Sequence, residues 1–217
     1  MEIRRLGLQP YRQAWELQQR LWAQRGAGEV PDTLLLLEHP HTYTIGRSGS
    51  KAHVFLSDAE LEARGIACLS VDRGGDVTYH GPGQLVGYPI LQLGNPPDVG
   101  AYLRGLESCL IAVLADFGIQ AARLPGYTGV WIDGERKIAA IGVKVAQGVT
   151  THGFALNVST DLSLFEHILP CGIPDKGVTS MARELGVAPA MTEVEAAVVA
   201  RFRERFATPG LRAAAVA

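Results

Sequence analysis

Three features of the 217-residue sequence could do chemistry: a cysteine, a lysine and a bare glycine-rich run. Cys171 sits in a Pro-Cys-Gly turn with no apolar periodicity around it. Cys109 instead falls at helical spacing with Leu106, Leu110, Val113 and Leu114, and Cys68 alternates within a strand pattern. Those two read as small core hydrophobes. Cys171 has two readings, a nucleophile or an idle loop thiol. Three thiols at irregular spacing make neither a disulfide framework nor a CxxC metal pair.

A thiol of pKa near ~8.5 is mostly protonated at neutral pH, so a nucleophilic cysteine needs a base or a cation beside it. Lysine is scarce: Lys51, Lys137, Lys144 and Lys176 stand against sixteen arginines. Lys137 begins a strand pattern, and period-two alternation puts it on one face with Ala139, Ile141, Val143 and Val145. An ammonium there is out of place. Desolvation would make the neutral base more accessible, and a charged lysine beside a thiol would favour the thiolate. The other reading is a side chain that snorkels to water beside a turn. His80 and His152 are alternative bases. His39 and His41 flank Pro40 without further ligands, so no metal site is expected.

The run "RGGDVTYHGPGQ", residues 73–84, suggests a phosphate cradle at first sight. Gly81, Gly83 and Gly87 give GxGxxxG rather than GxGxxG, no GxxxxGK[ST] occurs, and Pro82 obstructs a helix leaving the loop directly. Glycines also serve tight turns. Four of them beside Asp76, Thr78, Tyr79 and His80 point rather to close approach of backbone to a ligand.

Composition is that of a globular chain, with 47% hydrophobic and 19% charged residues, and nothing shifts abruptly along it, so residues 1–217 are expected to form a single domain. A net charge of −2 supplies no broad basic field, and nucleic acid is not an expected partner. No apolar run reaches membrane-spanning length and the N-terminal residues lack a signal-peptide core, so a cytoplasmic location is expected.

The elements that must position these residues follow from periodicity and punctuation. An apolar stripe through Tyr11, Ala14, Trp15, Leu21 and Trp22 predicts a helix over 11–24. "TLLLLEH" and "TYTIGR" read as strands joined at Pro40. Ser57 with Glu60 predicts a capped short helix ending at Gly65, followed by a strand "IACLSV". After a strand "QLVGYPILQL", Asp98 caps a long helix that Gly118 stops. Asp133-Gly134 predicts a hairpin, "VTTHGFALNV" extends its sheet, and a short helical turn falls near "LSLFEHI". A loop "LPCGIPDKGVTS" and a helix from Thr192, capped reciprocally by Glu195, complete the chain. Strand runs with few helices indicate an α+β fold with a mixed, mostly antiparallel central sheet and flanking helices.

"PDTLLLLEHPHTYTIGRSG", "RGGDVTYHGPGQLVGYPI", "RKIAAIGVKV", "THGFALNVSTDL" and "LPCGIPDKGVTS", in this order, resemble the lipoyl(octanoyl) transferase family across most of residues 31–185. His41 departs from the residue common after that proline. The resemblance implies a fold similar to biotin and lipoate protein ligase catalytic domains. It also implies transfer of an octanoyl group from octanoyl-acyl carrier protein to a lysine of lipoyl domains, those of 2-oxoacid dehydrogenase complexes and the glycine cleavage H protein, with no cofactor. It makes Cys171 the acyl-thioester nucleophile and Lys137 the residue that lowers its pKa. Arg73, Gly74, Gly75, Asp76, Val77, Thr78, Tyr79 and His80 match one substrate wall. Ala140, Ile141 and Gly142 match a second, and Gly153, Phe154 and Ala155 a third. Arg201, Arg203 and Arg205 are candidates for docking an acidic carrier, against an ordinary solvated helix face. Competing functions are an ATP-dependent lipoate ligase on the same fold, which needs no thiol nucleophile, a thioesterase, in which water replaces the acceptor amine, and a non-catalytic acyl-binding module, which needs neither Cys171 nor Lys137.

Overall fold

The computed structural model describes residues 1–94, 96–169 and 176–206. Eleven strands and five α-helices occur among them: β1 (Glu2–Leu8), α1 (Tyr11–Gly26), β2 (Thr33–Glu38), β3 (Thr42–Ile45), α2 (Asp58–Ala63), β4 (Ala67–Ser70), β5 (Val77–His80), β6 (Gln84–Ile90), α3 (Val99–Asp116), β7 (Ala122–Leu124), β8 (Tyr127–Ile132), β9 (Arg136–Ala146), β10 (Val149–Asn157), β11 (Gly177–Val178), α4 (Met181–Leu185) and α5 (Met191–Phe206). The large sheet runs β1-β2-β6-β10-β9-β8-β7, with β11 beside β9. Its β1–β2 and β9–β11 pairs are parallel and the others antiparallel. The expected mixed, mostly antiparallel α+β architecture is therefore present.

β2 shows how the sheet is held. Its leucines alternate between two cores: Leu34 and Leu36 pack toward α3 and α5, while Leu35 and Leu37 pack with Ala14 and Leu21 of α1. A strand covered on both faces reads as a continuous apolar run for this reason. A second, three-stranded sheet, β4-β3-β5, has its own core of Tyr43, Tyr79, Leu61 and Phe165. The two strands joined at Pro40 thus lie in different sheets, and the chain changes sheet at the proline.

Local signals hold well where they are chemical. Ser57 accepts from the Glu60 N–H while Glu60 accepts from the Ser57 N–H, a complete capping box, and Asp98 accepts from the Ala101 N–H at 2.8 Å. The hairpin after β8 turns at Asp133 and Gly134, both at positive φ. Three readings change. Val77–His80 is a buried strand rather than open loop backbone. β1, β7, β11 and α4 were not foreseen. The last helix starts at Met191, so Thr192 lies in its first turn and the Glu195 carboxylate accepts from Arg5 instead of capping. No helix among the described residues is long and apolar enough to cross a membrane.

Candidate active site

β9 and β8 do not advance in step. Val130 faces Ala139, yet the next residue, Trp131, faces Lys137, so Ile138 is an extra residue, a β-bulge. Ile138 and Ala139 both enter the core under α3, with Ile141, Val143 and Val145 packing against it. The bulge reverses parity at Lys137 and moves it to the opposite face, with Ala140. The expectation that Lys137 shares a face with Ala139, Ile141, Val143 and Val145 is thereby corrected: strict alternation fails where one strand carries an extra residue. The side chain is 8% exposed, with Nζ 4.7 Å from the centre of the Trp131 ring. β11 seals the edge: Val178 pairs with Lys137, and the Thr179 N–H donates to the Lys137 carbonyl at 3.0 Å.

A cavity beside Lys137 is lined also by Thr78, Gln84, Ala140, Ala155, Asn157 and Phe165. Thr78, Ala140 and Ala155 line a second cavity as well, so the two adjoin. That second cavity lies between the small sheet, which contributes Val77, Thr78 and His80, and the large one, which contributes Ala140, Ile141, Gly142, Gly153, Phe154 and Ala155. Arg73, Gly74, Gly75 and Asp76 line it from the loop before β5. Tyr79 differs: its ring lies in the small sheet's core and its hydroxyl bonds His41 Nδ1 at 2.7 Å, which also accounts for His41. Cys171 lies outside the described residues, as do residues 170–175 of the loop that carries it.

The loop wall is held by its own polar atoms. Arg73 donates to the Thr44 carbonyl at 2.7 Å and to the Gly74 carbonyl at 3.0 Å, and the Gly74 N–H donates to Val143 O at 2.9 Å. That approach requires glycine at 142, where a Cβ would stand 2.9 Å from the Gly74 oxygen. Asp76 pairs with His53 at 2.6 Å and accepts from its neighbour Val77 N–H at 2.7 Å.

A buried network that sequence reasoning largely missed borders both cavities. Gln84 Oε1 lies 2.8 Å from His80 Nδ1, and Gln84 Nε2 donates to Asn157. His39 Nδ1 donates to the Gln9 carbonyl, so its Nε2 accepts from Tyr88, each at 2.7 Å. Burial pushes His39 down to about 4 and His80 well below the usual histidine range. His152 Nε2 lies 2.8 Å from Asp72 and its Nδ1 lies 3.4 Å from the Tyr11 hydroxyl. The hydrogen bond from His152, then Lys144 at 2.6 Å, holds the Asp72 carboxyl well below its ordinary range. Tyr11 read only as part of a helix stripe, and nothing in the sequence marks Asp72 or Tyr88 as neighbours of a cavity.

On α5, Arg201 donates to Asp116 and to Glu204, each at 2.9 Å, so its charge is matched locally. Among the described residues no three His, Cys, Asp or Glu side chains converge as a metal site would require.

The fold is one shared with lipoate and biotin protein ligases. A solved putative lipoate protein ligase from Thermoplasma acidophilum superimposes with a TM-score of 0.70 at 19% identity, covering 94% of this chain and 85% of that one. A biotin protein ligase from Aquifex aeolicus gives 0.56 at 16% identity, covering 94% and 69%. A model of the lipoyl protein ligase A/B catalytic domain matches residues 10–203, and the chain belongs to that family. Among curated relatives, an octanoyltransferase of Chloroflexus aurantiacus is 54% identical over 210 residues, covering 95% of this chain and 94% of its own. One of Rubrobacter xylanophilus is 52% identical over 213 residues, covering 97% and 96%.

Proposed function

We propose that this protein is an octanoyltransferase of protein lipoylation, moving an octanoyl group from acyl carrier protein to the acceptor lysine of a lipoyl domain through a Cys171 thioester. The observation that carries the reading is the junction at Thr78, Ala140 and Ala155, where a largely apolar channel between two sheets adjoins the cavity of a buried lysine. Relatives more than 50% identical over nearly the whole chain bear the octanoyltransferase name. A chain of seven carbons beyond the carbonyl contributes several kcal/mol when buried, at about 0.8 kcal/mol per methylene.

Lys137 takes the Cys171 thiol proton; the thiolate adds to the carrier thioester carbonyl, and the carrier sulfur leaves with the proton from Lys137. In the second half the acceptor ammonium, of reference pKa about 10.4, surrenders a proton to Lys137. The free amine attacks the acyl-cysteine carbonyl, and the C–S bond breaks as the amide forms. The Cys171 sulfur leaves with the second proton the nitrogen sheds, and Lys137 releases its own proton to solvent. Backbone N–H groups near Gly142 or Gly172 stabilise the oxyanion. The acidic carrier and lipoyl domains present their substrates in turn.

Intact-mass spectrometry after mixing with octanoyl-acyl carrier protein tests this. A hydroxylamine-sensitive adduct is expected, absent in Cys171→Ala, followed by acceptor modification without ATP. Full activity in Cys171→Ala would overturn the mechanism, a requirement for ATP would indicate a ligase, and hydrolysis without acceptor modification a thioesterase.

A further inference from the structure

We infer that His152, fixed by Asp72, is the end wall of the apolar channel and sets the length of acyl chain accepted. The inference rests on the acyl-transfer reading and supplies its chain-length determinant. Among the described residues, Asp133, Gln147 and His152 are the non-glycine residues at positive φ. The first two sit in hairpin turns, where that conformation is ordinary. His152 sits inside β10, opposite Val143, at φ 57°. A left-handed residue in mid-strand persists only where its surroundings over-determine it.

The surroundings do so. The His152 N–H donates to Gln18 Oε1 at 2.7 Å, and the ring is held by Asp72 on one nitrogen and Tyr11 on the other. Asp72 is gripped by Lys144 and immediately precedes Arg73, so one carboxylate fixes both the ring and the start of the loop wall. The imidazole is 1% exposed yet lines the channel. Alanines and glycines line the way toward it. From Ala155, where the channel meets the Lys137 cavity, to His152 is three residues, roughly 10 Å at strand rise. An extended octanoyl chain spans about 9 Å from its carbonyl carbon. Because both ring nitrogens are engaged, the ring cannot swing aside for a longer chain without breaking its bond to Asp72.

The test measures binding of saturated fatty acids of six to fourteen carbons by quenching of tryptophan fluorescence, and transfer from the matching acyl carrier thioesters. In the wild-type chain, affinity is expected to rise to eight carbons and fall beyond. A smooth gain with every added methylene would overturn the closed end. His152→Gly removes the ring and accommodates the backbone, and His152→Asn keeps a residue tolerant of positive φ at smaller size. Each is expected to move preference toward ten or twelve carbons by roughly tenfold in both readouts. Asp72→Asn, a positioning change, is expected to move it the same way by less, which a general loss of stability would not do. Unchanged chain-length order in folded His152 variants overturns the inference. A wild-type chain that binds these acids but transfers nothing overturns the acyl-transfer reading, while its binding order still decides the end wall.

Discussion

Lys137 pairs with Trp131 although the residue before Trp131 pairs with Ala139, two positions beyond Lys137. Ile138 makes up the difference, and it carries the ammonium from the helix-covered face to the channel face. Deleting Ile138 should give an unbulged ladder: Lys137 then adjoins Ala139, stays opposite Trp131, and alternation keeps it on the channel face while the core loses the Ile138 side chain. The deletion variant is expected to unfold at lower urea than wild type, by about 2–5 kcal/mol for the lost core side chain, yet to retain acyl transfer while folded. Loss of transfer by a folded deletion variant would count against this register.

Lys137→Met approximates the length and bulk of the side chain while removing the amine proposed to carry the proton. Transfer is expected to fall by about 10²–10⁴-fold, the usual contribution of general acid–base catalysis. Single-turnover acylation of Cys171 by mass spectrometry measures it, and a melting temperature close to wild type would assign the loss to chemistry.

Gly153 faces the backbone of β6, where a Cβ would lie 2.1 Å from the Gly87 carbonyl oxygen. Backbone cannot retreat as a side-chain end can, so Gly153→Ala should cost about 1–3 kcal/mol in urea unfolding, in line with overpacked cores. A cost below a few tenths would mean that β6 and β10 separate more easily than their ladder suggests.

Acid should weaken the fold before carboxylates titrate. His39 is held at about 4 in the folded chain against an ordinary 6.5, so between these values the unfolded chain binds the extra proton. Stability is therefore full above pH 6.5 and lost as pH falls toward 4, by roughly 3 kcal/mol for this group alone. His80 and His152, lowered chiefly by burial, act in the same direction. Asp72, whose carboxyl is depressed, adds its loss below about pH 4. Urea midpoints at pH 7.5, 5.5 and 4.5 should fall steadily, and His39→Gln should flatten the slope while lowering stability at pH 7.5.

Asp98→Ala leaves the Ala101 N–H without its side-chain partner at the start of α3. A loss of about 0.5–2 kcal/mol is expected, with chain-length preference unchanged, because α3 packs on the face of the sheet remote from the channel.

The sequence made Ser57, Asp98 and Asp133-Gly134 legible because a cap or a turn is decided within four residues. The channel walls were legible as matches to a family pattern, and the fold brings most of them to one cavity, Tyr79 excepted. The bulge at Ile138 was not legible, since alternation can be read along one strand but an extra residue shows only against its partner. Nor was β1, whose Arg4 and Arg5 mark a partly exposed edge and whose parallel pairing with β2 lies across the whole of α1. The network of Tyr11, Asp72 and His152 joins residues 80 and 141 positions apart, and no local pattern carries such a contact.

The channel's two walls belong to different hydrogen-bonded sheets. Along each wall, distance is fixed by strand rise and protected by a ladder of backbone bonds. Across the gap, separation depends on side-chain packing and on isolated stitches such as Gly74 to Val143. The site is therefore mechanically anisotropic: stiff in length, compliant in width. A ruler cut this way measures how long a guest is while forgiving its thickness.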